Sequence, residues 1–170
     1  DMMFFEIEGG VDPKLAKDKR NVYGEFQSAC TLFMRRLISL PIPKIVISLE
    51  DETQDENLQL WHTAYVPGKK LSGKIESYFT IALYSSINRN VQKFSERYRV
   101  QTQSYGGNIA KTPLGMFNES ELFIENDMKS ILERVFAYYG KGLNDYWRFP
   151  DILLTGASGS GKSSSLRTLV

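Results

Sequence analysis

Cysteine is nearly absent from this chain of 170 residues. Cys30 is the only one, so no disulfide can form within the chain, as a reducing cytoplasm favours. Histidine is equally scarce. His62 stands alone, and no Cys/His/Asp cluster has metal-ligand spacing, so its plain reading is a solvated or structural side chain. An excess of one charge is missing too: 21 Lys and Arg face 20 Asp and Glu, a formal net charge of +1. Net charge therefore argues for neither a nucleic-acid nor a membrane partner, although a local basic groove stays open. No apolar run approaches the roughly 18–20 residues that span a bilayer, and no membrane partner is expected. Met2-Met3-Phe4-Phe5 is too short for a signal peptide and leads into Glu6 and Glu8, so a cytoplasmic location is expected.

What is present is concentrated near residue 160. Gly156-Ala157-Ser158-Gly159-Ser160-Gly161-Lys162-Ser163 is a complete Walker A phosphate loop. Before it, residues 149–155 have the length and apolarity of a strand. After it, residues 163–170 space their apolar side chains for one helix face. The three glycines permit backbone angles and close approaches that a Cβ would block. The amides of Ser158 to Lys162 can then turn inward around phosphates. Lys162 is expected to reach the β- and γ-phosphates of ATP, and the Ser163 hydroxyl to ligate Mg²⁺. Ser164 and Ser165 read as helix-terminus residues, with Ser164 at the edge of the binding loop. The alternative for this stretch is a Gly/Ser-rich linker.

The remaining pattern alternates helices with apolar strands. Residues 14–40 read as a helix with a Val22, Phe26, Cys30, Phe33, Leu37 stripe, ended by Pro41 and Pro43. Residues 44–49 form a continuous apolar run, as in a covered parallel strand, and 50–56 an acidic loop. Pro67-Gly68 opens a turn, 71–78 suits a short helix, and 79–84 and 98–103 suit strands. Residues 105–113 suit a Gly-containing loop or hairpin, and 126–139 an amphipathic helix that Gly140-Lys141-Gly142 ends. The expected fold is a single α/β domain over residues 1–170, with helices on both faces of a mainly parallel sheet.

Three stretches together resemble the RecA-like P-loop ATPases of bacteriophages in the single-strand-annealing recombination group. They are the phosphate loop with its flanks, 152–169; the run 71–84; and 98–103 followed by Ala110-Lys111-Thr112-Pro113-Leu114-Gly115-Met116-Phe117. The resemblance implies a three-layer RecA-like fold, ATP and Mg²⁺ as ligands, single-stranded DNA as a partner, a homo-oligomer, and a host-cell cytoplasmic location. The segment order departs from that group, whose phosphate loop opens the domain. Residues 1–139 resemble its C-terminal part, 140–146 a joint, and 147–170 the phosphate-loop strand and helix. Circular permutation and reordering with an omitted middle segment both fit, since domain termini often lie close together.

Hydrolysis also needs a carboxylate near Mg²⁺ and a group that positions water. Glu50 and Asp51 follow the apolar run 45–49 like a Walker B ending, the alternative being a solvated acidic loop. The resemblance instead makes that strand the next one over, whose tip senses the γ-phosphate, and leaves Asp1 as a relic of the Walker B region. It also gives Lys111 the role of a charge-neutralising finger against a neighbouring subunit's nucleotide, beside the alternative of a surface lysine. Arg89, Lys93, Arg97 and Arg99, interleaved with Phe94 and Tyr98, are a candidate single-stranded DNA surface, or else a solvated edge. A nucleotide or small-molecule kinase shares the loop but should carry an arginine-rich lid, and none is evident. A module that binds nucleotide without hydrolysis is the third reading.

Overall fold

Residues 19–42, 44–66, 73–140 and 151–169 are described by the structure, a computed structural model. Asp1, Met2 to Phe5, the turn at Pro67-Gly68 and the joint beyond Gly140 lie outside the described residues.

Helix α1 (Lys19–Ser39) buries Phe26 and Met34, with Leu37 and Ile38 partly covered. Phe33, expected in the stripe, is 54% exposed. Met34, the next residue, takes the inward place and packs with Leu153 and Ala82. The Lys44 ammonium closes the helix end, donating to the carbonyls of Ile38, Leu40 and Ile42 and pairing with Asp151 at 2.9 Å. That one buried side chain ties α1 to two strands at once.

Those strands are β1 (Ile45–Ile47) and β7 (Ile152–Thr155), parallel neighbours with Ile45 opposite Ile152. On its other side β7 pairs in parallel with β4 (Ile81–Ile87), Tyr84 opposite Thr155. All four β7 side chains are buried, as its unbroken apolar run requires. The sheet continues with β5 (Tyr98–Gln101) and β6 (Phe123–Glu125), both antiparallel, giving the order β1-β7-β4-β5-β6. Helix α2 (Phe94–Arg97) is a single turn leading into β5. Beside this sheet, β2 (Glu50–Gln54) and β3 (Leu60–Ala64) form a separate antiparallel hairpin.

Alternation along the strands splits the core in two. Ile81, Leu83, Val100, Ile152 and Leu154 meet Met128, Ile131 and Val135 of helix α3 (Met128–Tyr139). On the opposite face, Ala82 and Leu153 meet Met34 of α1, Ala64 of β3, and Ile75 and Phe79 around the 3₁₀ turn Ile75–Tyr78. Asp127 caps α3 by accepting from the Lys129 amide, and Gly140 ends it at φ 63°.

The mainly parallel, three-layer RecA-like architecture expected from the sequence is corrected. The five-stranded sheet is mixed: the two ladders of β7 are parallel and the other two antiparallel, and the separate β2–β3 hairpin is antiparallel as well. Residues 88–97 between β4 and β5 are fewer than the dozen or so that a parallel crossover needs, so the chain must reverse. On the α1 face, a hairpin and a 3₁₀ turn share the cover of the sheet with the helix. The expected acidic loop 50–56 is also corrected, because Glu50–Gln54 is strand β2. Asp55 makes that hairpin by accepting from the amides of Asn57 and Gln59 and from the Trp61 indole.

Candidate functional site

β7 delivers its C-terminal end between the ends of β1 and β4, and residues 156–161 turn there before helix α4 (Lys162–Leu166) and the 3₁₀ turn Arg167–Leu169. The glycines are demanded by geometry. At Gly156 the backbone has φ 146°, and a Cβ would stand 2.2 Å from the Ser85 carbonyl oxygen of β4. At Gly161, φ is 90° and a Cβ would come within 2.8 Å of Asn126 Nδ2 and 3.0 Å of the Tyr98 ring. Gly159, at φ 77°, meets nothing within 4 Å and needs glycine only for its backbone angle.

Lys162 bends back over the loop. Its ammonium donates to the Gly156 and Ala157 carbonyls, each at 2.7 Å, and lies 3.4 Å from Ser160 Oγ. Burial pushes its pKa below the usual lysine range, while the negative charge of Glu50 partly offsets that. Ser85 Oγ donates to the Ser160 carbonyl at 2.7 Å, and Asn126 Nδ2 to that of Gly161 at 3.1 Å. The loop is thereby pinned from β4 on one side and from the β6–α3 junction on the other.

A cleft of about 720 Å³ opens above the loop. Ser158, Gly159, Gly161, Lys162, Ser163 and Ser164 form its floor. Ile47, Ser48 and Leu49, at the end of β1, form one wall, and Tyr98, Glu125, Asn126 and Asp127 the other. Of the expected loop residues, Gly156, Ala157 and Ser160 are not on the cleft surface: Gly156 and Ser160 are buried and Ala157 is half-buried. The acidic wall residues were missed from the sequence. Asp127 could have been found as an N-cap ahead of the 128–139 pattern, but its place at the cleft follows from β6 pairing. The Ser130 hydroxyl, then Thr168, holds its carboxyl below the usual range.

Glu50 opens β2, directly after the β1 wall. Its Oε2 accepts from the Tyr84 hydroxyl and lies 3.8 Å from His62 Nδ1. Burial, then Glu50, pushes the Tyr84 phenol well above the ordinary tyrosine range. Glu50 follows Leu49 of the cleft wall without itself lining the cleft, and Lys111 lies farther from the loop. Lys111 pairs through its backbone with Ala82, three residues before Ser85, roughly 10 Å down the strand at 3.3 Å per residue. Burial lowers its pKa, and the charge that offsets this is Glu76. Several members of the candidate DNA surface have partners within the fold or face the cleft. Arg99 lies 3.8 Å over the Phe123 ring, Lys93 pairs with Glu96, and Tyr98 faces the cleft.

Among the described residues no helix is long and apolar enough to cross a membrane. Comparison with family models, with curated proteins and with solved structures finds no match.

Proposed function

We propose that this chain binds ATP with Mg²⁺ at the loop Gly156 to Ser163 and hydrolyses it. The observation that carries this reading is the loop itself. Gly156, Gly159 and Gly161 all hold positive φ, and Lys162 lies across the turn they make. A linker needs none of these constraints. A nucleotide's phosphates would take the place of the loop carbonyls as partners of the Lys162 ammonium, with the loop amides around them.

The donors at the cleft also suit Mg²⁺. Ser163, Glu125 and Asp127 offer the hard oxygen ligands that the ion takes, and when bound it neutralises charge on the β- and γ-phosphates. Glu50 is the carboxylate we assign to accepting the proton of the attacking water. It follows directly on Leu49 of the cleft wall, and its charge favours the Lys162 ammonium.

A recombination role rests on the resemblance of residues 71–84, 98–103 and 110–117 alone. It would use Lys111 across a subunit boundary in a homo-oligomer. The test measures Mg²⁺-ATP affinity and turnover, with and without single-stranded DNA, beside Lys162→Ala. Binding and turnover that both vanish in Lys162→Ala support the hydrolase. Binding without turnover leaves a nucleotide-binding module, and absence of binding refutes the reading. DNA stimulation would extend it to recombination.

A further inference from the structure

We propose that Tyr84 is a positioning residue for Glu50, holding one carboxylate oxygen so that the other can serve the reaction. The inference rests on the hydrolase reading above. Tyr84 is almost completely buried on β4, opposite Thr155 at the root of the phosphate loop. Its hydroxyl points from the central sheet to the hairpin and donates to Glu50 Oε2 of β2. His62 of β3 stands behind the same oxygen at 3.8 Å, its ring tilted against Tyr84 with centroids 6.3 Å apart. Glu50 Oε1 carries no hydrogen bond among the described residues.

A carboxylate at the start of a two-stranded hairpin would ordinarily sample several rotamers. The phenol comes from the central sheet, whose β4 also anchors the loop through Ser85. Glu50 and the phosphate loop are therefore referenced to the same strand, although they belong to different segments of the chain. That common anchor would fix the carboxylate relative to the γ-phosphate. In the step itself, the water oxygen forms a bond to the γ-phosphorus and its proton passes to Glu50. The bond from phosphorus to the β,γ-bridging oxygen breaks, and its electron pair leaves on ADP. Tyr84 takes no part in bond making; it limits where Glu50 can be.

The test compares wild type, Tyr84→Phe, Glu50→Gln and the double variant for ATP affinity and for kcat. Tyr84→Phe keeps the buried ring, so affinity should stay within about twofold of wild type while kcat falls about tenfold or more. The double variant should be no slower than Glu50→Gln, because a positioning residue has nothing left to position. A normal kcat in Tyr84→Phe, or losses that simply add, would overturn the inference and leave the hydrolase reading intact. Wild type that binds ATP without turnover overturns the inference together with the assignment of Glu50, and failure to bind ATP removes the hydrolase reading itself. Spectroscopic titration gives a second readout that needs no nucleotide and no Tyr84 variant. One tyrosine should ionise at lower pH in Glu50→Gln than in wild type, and an unchanged titration would show that the two groups do not interact.

Discussion

Substituting Gly156 by Ala tests whether the loop is shaped by its neighbours or only by its own backbone. The added methyl would stand 2.2 Å from the Ser85 carbonyl oxygen, part of the β4 backbone, and 3.0 Å from Ser160 Oγ. Relief requires β4 and β7 to part, and these strands are in register from Ile81 to Tyr84. Overpacking of this kind costs about 1–3 kcal/mol, and an alanine held at φ 146° adds roughly 1–3 kcal/mol of backbone strain. The sum, about 2–6 kcal/mol, is a large part of the roughly 5–15 kcal/mol that holds a domain folded. Gly159→Ala is the control, since its Cβ meets nothing within 4 Å and only φ 77° is unfavourable. That change should cost about 1–2 kcal/mol. Urea unfolding of the two variants reads the difference directly. Equal losses, or a Gly156→Ala loss below about 1 kcal/mol, would refute the close approach of β4 to the loop.

Two further predictions concern buried charge. Lys44→Met leaves Asp151, 13% exposed, without its cation, and should destabilise the protein by about 3–5 kcal/mol; adding Asp151→Asn should recover part of that in thermal unfolding. Tyr84 makes stability fall in alkali. Below the ordinary tyrosine value of 10.0, folded and unfolded states both keep the phenolic proton. Above it the unfolded chain releases the proton while the raised native group holds it, so unfolding becomes easier as pH rises. Tyr84→Phe should show a shallower decline in stability above about pH 10 by urea titration, and an unchanged slope would contradict the native contact with Glu50.

The elements legible in the sequence were those with long or unbroken apolar patterns. Strand β7, strand β4 and helix α3 lie within two or three residues of their expected bounds, because burial on both faces or on one helical stripe leaves a periodic trace. β2 left no such trace. Glu50-Asp51-Glu52 reads as a solvated loop, yet it pairs with Leu60–Ala64, and the signal was Asp55 acting as turn former rather than any apolar alternation. Strand direction was misread for a related reason. An apolar run of strand length is the same parallel or antiparallel, and only connection length separates the two. At the site, the need for glycine at 156, 159 and 161 was legible because the loop spans only eight consecutive residues. Ser85, Asn126 and Tyr84 were not, since each acts on the loop or on Glu50 across at least 34 positions of sequence.

The place of β7 in the sheet has a kinetic consequence. β1 and β4 share no hydrogen bonds with each other, and the strand that joins them follows β4 by more than sixty residues and β1 by more than a hundred. Every ladder of β7 is therefore a long-range closure, the kind that slows folding. Until β7 docks, Ile45–Ile47 and Ile81–Ile87 each present an open apolar edge to any other strand in reach. The segment that carries the phosphate loop is then also the one that seals the sheet, so intermolecular strand pairing competes with assembly of the site up to that moment.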